Sequence, residues 1–158
     1  MAIVHWLQFL EHSSWAVSIR QSVWLYPFLE IIHITGIVLL VGPAFLFDLR
    51  LLGFAKHLPV IGLGRHLLSW SRRSLLLVIP SGMLLFITNA TALGYDPVFW
   101  TKMSLLVIAG CNALFFHQVI ARKIRSTTAV LPRAAKVIAI ISILSWIAII
   151  ACGRLLAY

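Results

Sequence analysis

Tyr26-Pro27-Phe28-Leu29-Glu30-Ile31-Ile32-His33-Ile34-Thr35-Gly36 opens an apolar run that continues to Phe47. Counted from about Val23, the run is close to the ~20 residues that an α-helix needs to cross a bilayer. It decides the fold, because a segment this apolar is solvated by lipid. Inside it, Glu30 and His33 stand three residues apart and share a helix face. Ionisable groups at membrane depth are costly and mark functional candidates.

The composition extends that reading to the whole chain. Of 158 residues, 61% are hydrophobic and only 11% are charged, against about 25% charged in soluble domains. The length allows one domain, taken as a single transmembrane unit over residues 1–158. The net charge of +9 does not point to nucleic acid, because the basic residues sit between apolar runs as membrane topology requires. Cys111 and Cys152 lie within apolar runs without metal-motif spacing, as small hydrophobes do. The start Met1-Ala2-Ile3-Val4-His5 has no basic segment of the kind that opens a cleaved signal peptide.

Working outward, residues 3–20 mix Ile3, Trp6, Leu7 and Leu10 with Gln8, Glu11, His12, Ser13 and Ser14. That pattern predicts an amphipathic helix lying at the membrane interface. Four spans are predicted, at about residues 23–47, 75–92, 103–121 and 137–152. Trp24 and Tyr26 form an aromatic belt, and Pro27 falls in a first turn, where its missing N–H is harmless. Pro80 and Gly82 sit inside the second span, as membrane helices tolerate. Gly94-Tyr95-Asp96-Pro97 marks a turn. All of the 13 basic residues except Arg20, Lys102 and Arg154 fall in residues 48–73 or 122–136. The positive-inside rule then places both of these loops in the cytoplasm and both termini outside. Short links favour an all-α, up-down four-helix bundle.

Of six histidines, only His33 and His117 lie within predicted spans. A buried imidazole without partners costs several kcal/mol, so each either bonds a neighbouring helix or holds a cofactor. Gly110 and Ala113 before His117, Gly36 after His33, and Ser142 and Ser145 in the fourth span give faces of small residues. Such faces permit close helix packing, and beside an imidazole they also leave room for a macrocycle. Imidazoles on facing helices hold haem iron in bundles. The predicted spans stagger His33 and His117 by roughly 10 Å along the membrane normal, which helix tilt can reduce. The alternative is two haems, an outer one on His33 with His12 and an inner one on His117 with His66.

Glu30 either fixes a histidine tautomer, ligates a metal with His33, or pairs with Arg20 or Arg154. Arg154 is a candidate partner for a haem propionate, or it snorkels to headgroups. Asp48 with Arg50, and Asn112, look structural: a membrane-edge ion pair and an interhelical hydrogen bond. No nucleophile elbow, phosphate loop, HExxH or CxxC is present, which leaves soluble-type enzyme chemistry without support.

Several motifs occur together: Ile19-Arg20-Gln21-Ser22 leading to Tyr26-Pro27-x-x-Glu30-x-x-His33, Asp48-Leu49-Arg50-Leu51-Leu52-Gly53, Ser81-Gly82-x-x-x-Phe86, Phe99-x-x-Lys102, Asn112-Ala113-x-x-Phe116-His117 and Gly153-Arg154. Over nearly the whole chain they resemble a family of small bacterial four-span membrane proteins of unknown function. More distantly, the layout resembles copper-resistance-D-like membrane proteins and four-helix b-type cytochromes. The near resemblance implies a fold and the bacterial inner membrane; the distant ones imply haem b electron transfer or copper handling.

The expected function is a haem-b electron-transfer protein or subunit passing electrons between the quinone pool and an extracytoplasmic redox partner. His33 and His117 are its expected iron ligands, with Glu30, Arg154 and His12 in support. The alternatives are copper or other transition-metal binding or transport centred on His12, Glu30 and His33, and a structural or assembly subunit of a larger membrane complex.

Overall fold

The computed structural model describes residues 2–120 and 133–156. Arg122, Lys123 and Arg125 of the expected second loop, and the expected end of the third span at Ala121, lie outside the described residues. Among those described there are helices and turns and no strand. Helices α1 (Ala2–Glu11) and α2 (Ser14–Gln21) lead into α3 (Leu25–Leu52) and α4 (Val60–Thr88). The short α5 (Ala90–Tyr95) is followed by α6 (Pro97–Phe115), a π-helical turn (Phe116–Ile120) and α7 (Arg133–Leu155). Helices α3, α4, α6 with its π-helical extension, and α7 are each long and apolar enough to cross a membrane. The all-α, four-span chain expected from the sequence is what forms.

Local chemistry explains the ends. Helix α3 stops at Gly53, whose φ of 112° is left-handed and whose N–H returns to the Arg50 carbonyl. Only glycine adopts that conformation without strain, and it is the usual helix stop. Asp96 starts α6 by accepting from the Val98 N–H at 2.7 Å, with Pro97 in the first turn. Helix α4 begins at Val60, well before the expected start near Leu75, so Arg65, Arg72 and Arg73 lie on helix rather than loop. Gly64 is a packing position within this helix: a Cβ there would lie 2.8 Å from the Phe47 ring.

The seam between α3 and α4 repeats that device along its length. A Cβ at Gly36 would lie 2.8 Å from Val78 and 3.2 Å from its backbone nitrogen, and one at Gly82 would lie 2.9 Å from the His33 ring. Between these points the buried Ser71 hydroxyl donates to the Leu40 carbonyl at 2.8 Å. Small residues therefore bring the two backbones together, as in other membrane helix pairs.

Helix α7 packs on the other side of α3, and α6 packs on α7. The core at this end joins Phe47 and Leu51 of α3, Phe116, and the fully buried Ala135 and Ala139 of α7. The fourth side of the square stays open. No Cα of α4 comes within 8 Å of one in α6, and the two helices meet through Phe86 stacked on Phe99 at 5.2 Å.

The amphipathic N-terminal segment is two helices rather than one. Ser13 breaks it: its hydroxyl donates to the Leu10 carbonyl and accepts from the Ala16 N–H. Together α1 and α2 cap one end of the bundle. Leu7 fills the space beside Gly94, where a Cβ would lie 2.6 Å from its Cδ1. Glu11 pairs with Arg20 at 3.3 Å and accepts from the Thr91 N–H at 2.9 Å, while Arg20 donates to the Thr88 carbonyl at 2.9 Å. The Thr91 side chain and N–H, then the Arg20 charge, hold the Glu11 carboxyl below the usual carboxylate range. The opposite, basic end carries Arg65, Arg72, Arg73, Arg133 and Lys136, all exposed.

Candidate functional site

His33 sits two turns into α3 from the capped end and is half-buried against α4. Its Nδ1 lies 2.9 Å from the Ser81 hydroxyl oxygen. Ser81 already donates its own hydrogen to the Leu77 carbonyl one turn back. Ser81 therefore accepts, and the hydrogen between the two residues belongs to Nδ1. In a neutral imidazole this leaves the lone pair on Nε2. Anchoring one ring nitrogen to a hydroxyl group fixes tautomer and orientation, the arrangement that makes the other nitrogen a defined base or ligand.

A cation stands opposite. The ammonium of Lys102, on α6, is near enough to His33 for its charge to bear on the ring. Its Nζ lies 3.8 Å from where a Cβ on Gly153 would be, and it also interacts with Cys152. Lys102 follows Phe99 by three residues and Gly82 precedes Phe86 by four, so each pair shares a helix face. Gly82 and Phe86 of α4, Phe99 and Lys102 of α6, and His33 of α3 thus meet at the open side of the square.

The other expected site residues are placed elsewhere. Glu30 is exposed one turn nearer the capped end. It does not pair with Arg20, whose guanidinium is bound to Glu11 and to carbonyls of the cap. Arg154 is exposed in the last turn of α7, beside the Gly153 that faces Lys102. His12 is exposed at the break between α1 and α2, and His66 is exposed on α4. His117 is exposed on the π-helical turn, at the far end of α6. Such turns often mark functional positions.

Depth separates the two intramembrane histidines more than the sequence indicates. Phe116, beside His117, packs edge-on against Phe47 with ring centroids 5.3 Å apart. Phe47 follows His33 by 14 residues (47 − 33) on the same helix, about 21 Å at 1.5 Å per residue. The roughly 10 Å expected from the sequence rests on spans of about 23–47 and 103–121 matched at their middles, whereas α3 runs on to Leu52 and α6 already starts at Pro97. One iron does not reach both rings. Gly36, expected to leave room beside His33, is filled by Val78, and the space at Gly82 is filled by the His33 ring itself. Among the described residues, no three His, Cys, Asp or Glu side chains come together as a metal-binding group.

Of the polar residues near the basic end, Asn112 makes the expected interhelical bond, its Nδ2 donating to the Ile138 carbonyl at 3.2 Å. The expected Asp48–Arg50 pair does not form. Arg50 turns back to the chain after α3 and donates to the Leu58 and Lys56 carbonyls at 2.8 and 3.0 Å. Sequence reasoning assigned no role to Lys102, Ser81 or Gly82. The signal for Lys102 was a lone charge immediately before the predicted third span, three residues after an aromatic one.

Comparison with curated proteins and with solved structures returns no match. Among protein families the match is to one described as a family of unknown function, DUF6644, over residues 20–158. It covers α3 to α7 and the His33 site, and begins at the last two residues of the second capping helix. The chain belongs to that family.

Proposed function

We propose that the protein is a redox subunit of the bacterial cytoplasmic membrane that takes a lipid-soluble quinone at the His33–Lys102 site. The observation that carries the reading is the His33 tautomer: Nδ1–H is held by Ser81, which leaves Nε2 as an acceptor facing no partner among the described residues. A quinol hydroxyl needs such an acceptor, and a quinone carbonyl needs a donor such as the Lys102 ammonium. The aromatic pair Phe86 and Phe99 flanks the open side, where a flat ring would arrive from lipid. Electrons would leave to a one-electron centre such as a haem or a partner redox protein. With the basic end in the cytoplasm, as the positive-inside rule asks, the site lies in the leaflet nearer an extracytoplasmic partner.

The test uses the purified chain in lipid nanodiscs, titrated with a short-tailed quinone and followed by calorimetry. Saturable binding is expected, weakened at least about tenfold by His33→Ala and by Lys102→Met, the ~1.4 kcal/mol of one hydrogen bond each. Absence of saturable binding, or binding that both variants leave unchanged, overturns the reading.

A second reading has the same anchor. An imidazole whose Nδ1–H is tethered to the protein is oriented for ligation through Nε2, so haem b would hang on His33 alone, without His117. Bound there, it would supply one-electron chemistry. The residues of this chain would contribute the fixed ring, with Lys102 and Arg154 as cations for propionates. A visible spectrum of the purified protein decides it: a Soret band abolished by His33→Ala and kept by His117→Ala is expected, and a colourless protein removes the haem.

A further inference from the structure

Among the described residues, Asp48 is a buried charged side chain that the site above does not explain and that is left with an unmatched oxygen. It is buried, with 6% of its surface exposed, and its Oδ2 has no hydrogen-bond partner. The Ser142 hydroxyl of α7 stands within reach of the carboxyl group. Among the described residues no cation balances it. Arg50 is engaged by loop carbonyls, Arg65 and His66 on α4 and His117 on the π-helical turn are exposed, and so are Arg133 and Lys136 on α7.

A carboxylate taken out of water with one oxygen unmatched is costly unless a cation or a proton meets it. The donor set argues against a metal ion. Hard cations take six or more oxygens, and here a single carboxylate stands with one hydroxyl, while the nearby Ile138 carbonyl is held by Asn112. A proton needs only Oδ2. Asp48 also lies four residues before the end of α3 (52 − 48), about 6 Å along the axis, so the aqueous phase is roughly one turn away.

We propose that Asp48, beside Ser142, is a proton-binding site at the basic end of the bundle, loaded from the adjacent aqueous phase. The carboxylate Oδ2 takes up one proton to give the acid and releases it by the same route, with no change of redox state. The site stands about 22 Å along α3 from His33 (15 residues, 48 − 33), and it does not depend on what His33 binds.

Infrared spectroscopy of the full chain in nanodiscs tests this directly, because the sequence contains only 4 acidic residues. The expected result is a carboxylic-acid carbonyl band that titrates reversibly, is lost in Asp48→Asn and is insensitive to sodium. In Ser142→Ala, which keeps the carboxyl group, the same band should move to higher frequency as the hydroxyl within its reach is removed. Should Asp48→Asn not fold, that band shift carries the test alone. Identical spectra in wild type and both variants overturn the proposal. So does a band that sodium displaces, which would make the occupant a metal cation.

Discussion

The two ends of α3 handle polarity in opposite ways. At His33, a neutral partner on α4 absorbs one ring nitrogen and a cation stands across an open side, so the free nitrogen meets whatever lipid brings. At Asp48, the bundle buries the carboxylate with Ser142 of α7 as its neighbour, and Arg50 is turned to the loop carbonyls. Both groups are ionisable and lie on one helix about four turns apart. The comparison teaches that a polar residue's role in a membrane is set by which neighbour covers it, because burial alone does not distinguish a sealed group from an accessible one.

The largest expected effect breaks the His33 end outright. Gly82→Leu puts side-chain carbons where the His33 ring lies, 2.9 Å from its Cε1 at the Cβ alone. Overpacking of this kind costs about 1–3 kcal/mol, and the ring must move off Ser81. Thermal stability in detergent should fall, and ligand binding at His33 should be lost with it. A similar loss is expected for Gly36→Leu, where the obstacle includes the Val78 backbone and cannot rotate away.

The two histidines provide the next contrast. His33→Ala should remove binding or colour at the site, whereas His117→Ala, about 21 Å away in depth, should leave both within about twofold, less than ~0.5 kcal/mol. Equal losses from the two substitutions would unite the ends that the structure separates.

The capping helices give a smaller effect. Arg20→Ala removes a charge-assisted bond to the Thr88 carbonyl and the pair with Glu11, worth about 1–3 kcal/mol together. Amide exchange in α1 and α5 should speed up while the α3–α4 seam stays protected. Acid should loosen the same contact. The Glu11 carboxyl is held below its ordinary range in the folded state. Its contribution is complete above the ordinary glutamate value and is lost as pH falls through the lowered one. Tryptophan fluorescence from Trp6 and Trp15, both exposed on the cap, should report that transition, and Glu11→Gln should abolish its pH dependence.

Much of this was legible from residue order. The span from Leu25 onward, the aromatic and basic flanks and the Asn112 interhelical bond all follow from local chemistry. Three things did not. The early start of α4 was hidden because its mean hydropathy, 1.3, is the lowest of the four spans, and because Gly64 serves packing rather than a turn. The partner of Arg20 depended on a fold-back of α1 that no local pattern specifies. The depth of His117 depended on how far α3 and α6 extend beyond the bilayer-length minimum. Lys102 was visible as an anomaly, yet only the approach of α6 to α3 gives it a neighbour.

The cap has a consequence for how the protein is made. Its fastening bonds join Glu11 to Thr91 and Arg20 to Thr88, residues 80 and 68 positions apart in the chain. The first two helices leave the ribosome long before their partners exist, so they wait, unfastened, until the second span has entered the membrane. The lock therefore closes last on the segment synthesised first, and a chain truncated before Thr88 would present α1 and α2 with nothing to hold.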